Sequence, residues 1–177
     1  MKVTINQQNL KKALGLVERI VSRNISLPIL NNVLLRTENG RLKVSATNLE
    51  IGINYLIGAK IEEVGDIAVP ARIFSDFIAN TDEDIITLTT KNNSLFINSK
   101  RYKTQILGFD TKEYPIIPKI KEGVICTLPA KQVHAAFTQV VDSIALSESR
   151  AELAGLYMRF TAKELICAAT DSFRLVE

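Results

Sequence analysis

Residues 28–50 read PILNNVLLRTENGRLKVSATNLE, and the centre of this stretch is Asn39-Gly40, set between the runs Asn32 to Thr37 and Arg41 to Thr47. Both turn residues tolerate positive φ, so the pair predicts a tight hairpin joining two strands. On its N-terminal side, Leu10, Ala13, Leu14, Val17, Ile20 and Val21 recur at three- and four-residue steps. That is the stripe of an amphipathic helix, with Asn6 placed to cap it. Lys2 to Asn6 precede it as a short strand, and Ser22 to Pro28 breaks the helix. On the C-terminal side, Glu50 to Ala59 is expected as a strand and Gly65 to Val69 as another. Pro70-Ala71-Arg72 opens a second helix through Ile78, and strands follow at Ile85 to Thr90, Leu95 to Asn98 and Tyr102 to Leu107. Most connections are too short for parallel crossovers, which predicts an α+β fold with a mostly antiparallel sheet.

Phe109 to Glu122, with Pro115 and Pro118 among charges, reads as a linker. Beyond it the pattern starts again. Thr127-Leu128 ends a strand, and Pro129 enters a helical first turn where its missing N–H costs nothing. Val133, Ala136, Phe137, Val140 and Val141 form the stripe. A loop spans Ser147 to Glu152, and strands are expected at Gly155 to Phe160 and Glu164 to Ala169. The two segments match at a constant offset of 123: Thr4 with Thr127, Ala13 with Ala136, Val17 with Val140, Leu30 with Leu153, Arg36 with Arg159, Thr47 with Thr170. From Val3/Cys126 to Glu50/Phe173 no gap is needed, and nine of 48 positions are identical, against roughly three expected from composition. A period this long points to duplicated domains. The expected division is a complete module over 1–120 and the truncated start of a second over 121–177. Glu177 corresponds to Asn54, so the second copy lacks a helix and its last strands. The chain is therefore expected to be a fragment of something longer or to pair with another chain.

The 177 residues suffice for a core without disulfide or metal staples. Cys126 and Cys167 lie in apolar runs and are expected as buried thiols. No apolar signal core and no membrane-length apolar run occur, so the expectation is a cytoplasmic protein with no membrane association. Catalytic groupings are thin. His134 is the single histidine and falls on the polar side of its helix, which argues against a zinc site and against nucleophilic catalysis. Asp82, Glu83 and Asp84 read as a solvated turn, with a metal-dependent hydrolase as the remote alternative. No glycine-rich phosphate loop is present, and no cofactor or metal is expected. Thr47 to Glu50 and Thr161 to Glu164 match the capping-box spacing but sit in strand-and-turn context, where no helix is expected.

Binding features are richer. Lys11, Lys12 and Arg19 decorate the first helix, Arg23 starts the next loop, Arg72 heads the second helix, and Lys131 repeats the theme on the third. Such positions suit phosphate contacts, and would equally suit a solvated helix face. Tryptophan is absent and no aromatics interleave with the cations, so a double-stranded partner fits better than a single-stranded one.

Four stretches then carry a resemblance: Leu27-Pro28-Ile29-Leu30-Asn31-Asn32-Val33-Leu34-Leu35, Ala46-Thr47-Asn48-Leu49-Glu50, Val69-Pro70-Ala71-Arg72 and Ala168-Ala169-Thr170-Asp171-Ser172-Phe173-Arg174-Leu175. In this order and at this spacing the chain resembles the bacterial DNA polymerase III beta subunits, the sliding clamps, from Met1 onward. The resemblance implies a DNA-clamp fold of repeated domains, helices packed on antiparallel sheet, with domain 1 and the first part of domain 2 present. It implies a non-enzymatic processivity factor for DNA replication, a head-to-tail homodimeric ring around double-stranded DNA. Polymerase and clamp-loader subunits would dock through short peptides. It assigns DNA contacts to Lys11, Lys12, Arg72 and Lys131 and to the loop at Arg23 and Asn24. It assigns a partner-peptide pocket to Leu153, Thr170, Ser172, Phe173, Arg174 and Leu175, with Phe173 standing where some members have histidine. It assigns a dimer edge to Tyr102, Lys103, Thr104 and Ile106. By itself the 177-residue stretch is expected neither to close a ring nor to bind recognition peptides tightly. The alternative is an adaptor that gathers replication proteins without encircling DNA.

Overall fold

In the computed structural model, residues 1–21, 27–118, 123, 126–146, 149–161 and 163–177 are described. The chain divides into two compact units, Met1–Lys119 and Ile120–Glu177.

The first unit begins with β1 (Lys2–Asn6) and α1 (Gln7–Val17). The Asn6 side chain accepts from the Asn9 backbone N–H at 3.2 Å, the cap that the sequence predicts. Helix α1 ends at Val17, so Ile20 and Val21 lie past it, although Val21 still packs on the core. The hairpin follows as β2 (Asn32–Glu38) and β3 (Arg41–Thr47), joined by Asn39 and Gly40 at φ 51° and 71°. Then come β4 (Gly52–Gly58), β5 (Lys60–Glu63), β6 (Asp66–Pro70), α2 (Ala71–Ala79), β7 (Ile85–Lys91), β8 (Ser94–Asn98) and β9 (Lys103–Leu107). Strand β5 was not expected. Its four residues carry one apolar side chain, too few for an alternation signal, and its pairing with β1 creates it.

Two antiparallel sheets result, ordered β5-β1-β7-β8-β9 and β4-β3-β2-β6. Their inner residues meet those of both helices in one core, including Val3, Ile5, Leu10, Leu14, Val33, Leu35, Val44, Phe74, Ile78, Ile86 and Leu88. The expected linker is partly incorrect. Phe109 bridges to Ala68, a short 3-10 turn spans Thr111–Glu113, and Tyr114 is buried against Leu34, Ala68 and Ile29. An aromatic ring with an apolar seat beside it packs, whatever the prolines around it suggest. The remainder of the expected linker, 119–122, lies outside the described residues.

The second unit holds α3 (Ala130–Val140), β10 (Tyr157–Phe160), β11 (Leu165–Thr170) and β12 (Leu175–Val176). The offset of 123 carries Gln7–Val17 onto Ala130–Val140 without remainder. Ladder register repeats too: Leu34 faces Ser45 as Tyr157 faces Ala168, and Thr47 faces Gly52 as Thr170 faces Leu175. The turn after β3 is built twice. Thr47 Oγ1 accepts from the Leu49 N–H, and Asn48 Oδ1 accepts from the N–H groups of Glu50 and Ile51. Thr170 Oγ1 accepts from the Ser172 N–H, and Asp171 Oδ1 accepts from those of Phe173 and Arg174. Leu49 and Ser172 adopt φ of 78° and 76°. The Thr161 hydroxyl likewise caps a turn, accepting from the N–H groups of Lys163 and Glu164. Neither capping-box match starts a helix.

Two expectations for this unit fail. Cys126 is exposed, and Thr127-Leu128 is not in a strand; only Cys167 is buried. Their counterparts Val3 and Ile5 are covered because β1 is sandwiched between β5 and β7. Phe137 and Val141 of the expected α3 stripe are 37% and 52% exposed. The packed centre is small: Val140, Cys167 and Ala169, with Ala136, Leu156 and Leu165 around them.

Candidate DNA-facing helices and partner groove

Helices α1 and α2 are locked at their ends by Gln7. Its buried side chain donates to the carbonyls of Ile78 (2.7 Å) and Thr81 (3.0 Å). This fixes where the expected cations stand. Lys11 is exposed, and its Nζ donates to the Ala79 carbonyl at 3.2 Å, a cation at the C-terminal, negative end of α2. Lys12 beside it is exposed. Arg72 is exposed at the opposite end of α2, with Asp76 3.8 Å away; at 72% and 67% side-chain exposure the pair contributes little. Lys11 and Arg72 thus mark the two ends of one nine-residue helix. Lys131 is exposed in the first turn of α3, in the other unit. Arg23 and Asn24 lie outside the described residues.

The pocket residues separate into two groups. A groove of about 470 Å³ on the second unit is lined by Glu152, Leu153, Gly155, Leu156, Tyr157, Ala168, Ala169, Thr170 and Leu175. Leu153, Thr170 and Leu175 are therefore brought together. Ser172, Phe173 and Arg174 form the turn between β11 and β12 and do not line it. Phe173 is 96% exposed. Arg174 is engaged by Asp171 (Nε to Oδ2, 3.0 Å) and donates to the Asp142 carbonyl. Ser172 Oγ accepts from Arg150 at 3.2 Å. Hydrogen bonds from the Arg174 and Phe173 N–H groups hold the Asp171 carboxyl below the usual aspartate range. The other six lining residues, Glu152, Gly155, Leu156, Tyr157, Ala168 and Ala169, are not among those the resemblance assigns to the pocket. The signal for Tyr157 and Ala168 was available: residues facing one another on a hairpin line one face.

Strand β9 is an edge of its sheet, as the expected dimer edge requires. Ile106 is only 7% exposed and faces the core, so its side chain is a packing residue; Lys103, Gln105 and Leu107 face outward. Tyr102 precedes the strand and is 43% exposed. Thr104 is half-buried.

Elsewhere the acidic run divides. Asp82 and Asp84 are exposed, while Glu83 turns inward, 3.6 Å from Arg101. Among the described residues no group of three or more His, Cys, Asp or Glu side chains is placed to hold a metal ion. Among the described residues no helix is long and apolar enough to cross a membrane.

These features agree with the comparisons. Residues 1–118 match the family model described as DNA polymerase III beta subunit, N-terminal domain. The beta sliding clamp of Bacillus subtilis (strain 168) is 29% identical over 184 residues, covering 99% of this chain and 49% of the relative. That of Synechocystis sp. is 27% identical, covering 99% and 47%. Among solved structures, the DNA polymerase sliding clamp from Bacillus subtilis aligns with a TM-score of 0.94 at 27% identity, over 99% of this chain and 48% of that one. The sliding clamp from Bartonella birtlesii bound to griselimycin aligns at 0.92 with 28% identity, over 99% and 48%. The chain spans about half the length of the relatives it matches. With two thirds of its residues inside the family model and its antiparallel α+β architecture shared with the solved clamps, the chain belongs to the DNA polymerase III beta subunit family, the bacterial sliding clamps of DNA replication.

Proposed function

We propose that the protein is a DNA polymerase processivity factor. Two full-length protomers associate head to tail into a ring around double-stranded DNA. Polymerase and clamp-loader subunits are tethered through short peptides. Family membership over residues 1–118 is the observation that carries this reading. Exposed Lys11, Lys12 and Arg72 on two neighbouring helices, and Lys131 on the repeated one, support a sequence-independent hold on phosphates. Arg23 and Asn24 are proposed to join them. Topology does the work: a closed ring does not dissociate sideways, so weak contacts suffice, sliding stays easy, and no bond is made or broken. Within this reading residues 1–120 are domain 1, residues 121–177 open domain 2, and the protein works in the cytoplasm.

The test is to load the intact protein onto nicked circular DNA and then linearise it. Loss from the free ends is expected; retention on open-ended linear DNA overturns the reading.

The groove on the second unit favours a companion role as a peptide-docking adaptor. If gathering partners were the whole function, neutralising Lys11, Lys12, Arg23 and Arg72 would leave polymerase processivity unchanged.

A further inference from the structure

Two hairpins of the first unit are closed by the same kind of turn. Asn39 and Gly40 join β2 to β3 between the facing residues Glu38 and Arg41, and Asn92 and Asn93 join β7 to β8 between Lys91 and Ser94. All four turn residues lie in the left-handed region, at φ 51° and 71° in the first hairpin and 49° and 56° in the second. Two-residue loops of this hand match the twist of the strands they join. The second hairpin shows that asparagine serves at both positions. The turn therefore does not require glycine at position 40, where an added Cβ would meet nothing within 4 Å. What Gly40 changes is chemistry. Having no side chain, it leaves its backbone nitrogen uncovered beside the Asn39 carboxamide, and no other asparagine of the chain precedes a glycine. Both residues are exposed, and the Asn39 side chain makes no hydrogen bond among the described residues. It borders an open hollow of about 410 Å³ together with Glu38, Arg41, Lys43 and Asn54, which gives water access to it.

We propose that Asn39 is a site of spontaneous covalent modification, converting to isoaspartate in the folded protein. The Gly40 nitrogen attacks Asn39 Cγ. A bond forms between these two atoms, the bond from Cγ to Nδ2 breaks, and ammonia leaves with the proton that the Gly40 nitrogen gives up. The product is a succinimide ring, which water then opens. Attack at the main-chain carbonyl carbon leaves Gly40 joined through Cγ, and the residue is isoaspartate. Attack at Cγ restores the ordinary main chain and leaves aspartate. Nothing is oxidised or reduced, and water is the co-reactant. The two products differ in what they do to the fold. Aspartate only adds a charge at an exposed position, beside Arg41 in the same hollow. Isoaspartate brings Cβ into the main chain and so lengthens a two-residue loop that has no slack. Loop length sets hairpin register. The rung between Glu38 and Arg41, and the Lys43–Glu38 ion pair at 3.0 Å, then lose their alignment. The altered tip, with its free carboxylate, is a substrate for enzymes that methylate isoaspartyl groups.

The test ages the intact protein in mildly alkaline buffer and maps its peptides by mass spectrometry. Isoaspartate is counted by methyl transfer from a purified isoaspartyl methyltransferase. The peptide holding Asn39 should gain one mass unit before any other asparagine peptide does, and it should accept methyl groups. Gly40→Asn copies the second hairpin, so it should keep the fold and suppress the change. Conversion at an equal rate in Gly40→Asn, an unaltered Asn39, or faster conversion at Asn93 or Asn98 would overturn the assignment. The isoaspartate form, separated chromatographically, should show an unfolding constant raised about tenfold, the weight of one strained backbone position. Asn39→Asp, the other product, should unfold like the parent, as exposed substitutions do. An isoaspartate form that unfolds like Asn39→Asp would overturn the loss of register.

Discussion

Tyr114 closes the outer face of the four-stranded sheet with two hydrogen bonds from one hydroxyl. Tyr114→Phe keeps the ring and leaves two buried carbonyls short of a donor, so it should cost about 1 kcal/mol. Tyr114→Ala also empties the seat and should cost about 3–5 kcal/mol. Chemical denaturation of the first unit measures both; equal costs would mean that the ring contributes nothing. Burial pushes the phenol up to about 12 from an ordinary 10.0, against the smaller opposing effect of a hydrogen bond with the Thr47 backbone. A folded value above the unfolded one means that the contribution is whole below pH 10 and is lost as pH rises through about 12. Tyr114 should therefore ionise well above pH 10 in an ultraviolet titration, a step that Tyr114→Phe removes, with destabilisation beginning above pH 10. Asp171 has the opposite sign. Its folded value lies below the ordinary 3.8, so the turn is secured above that value and loosens as pH falls through the folded one. Asp171→Asn copies Asn48, which holds the same turn in the first unit without a charge. Backbone amide signals of Ser172 and Phe173 should then persist into acid in the variant and shift in the parent; the same acid response in both would remove Asp171 as the cause.

Among the elements, β9 shows most clearly how the two faces of one strand meet different surroundings. Its place at the sheet edge follows the expected dimer edge, yet alternation turns Ile106 into the core and sends Lys103, Gln105 and Leu107 outward. Lys103→Glu should leave the stability of the first unit within about 0.5 kcal/mol, as exposed substitutions do. It should weaken self-association of the intact protein about tenfold. Sedimentation across a concentration series decides; unchanged association would remove Lys103 from the interface. Helix α1 was legible from its stripe and cap because both are local. Gln7 was not: nothing distinguishes it from Gln8 until α2 supplies the two carbonyls that bury it. Likewise β5 exists because β1 offers it a ladder.

For the whole molecule, the role proposed for the cations is phosphate neutralisation, which is insensitive to base sequence and sensitive to salt. Replacing Lys11, Lys12 or Arg72 by glutamine in the intact protein should weaken DNA binding equally on unrelated sequences. It should also flatten the dependence of log affinity on log salt by about one for each contact removed. An unchanged slope in all three would leave these side chains as solvated surface. Of the proposed site, the groove floor around Thr170 and Leu175 was readable, because the repeat and the family motif both pass through it. Its Glu152 and Tyr157 walls became visible only with the hairpin in place.

The sequence by itself determined the order of elements, the Asn39-Gly40 hairpin and the repeat. These rest on turn chemistry and on periodicities of two and 3.6 residues, which act over a few neighbours and are copied with the chain. Only the tertiary structure decided what each face meets. Val3 is buried and Cys126, its counterpart, is not; Leu34 lies under Tyr114, and Tyr157 lies open. Burial depends on groups brought from dozens of residues away, and two copies with the same local pattern part company wherever those groups differ.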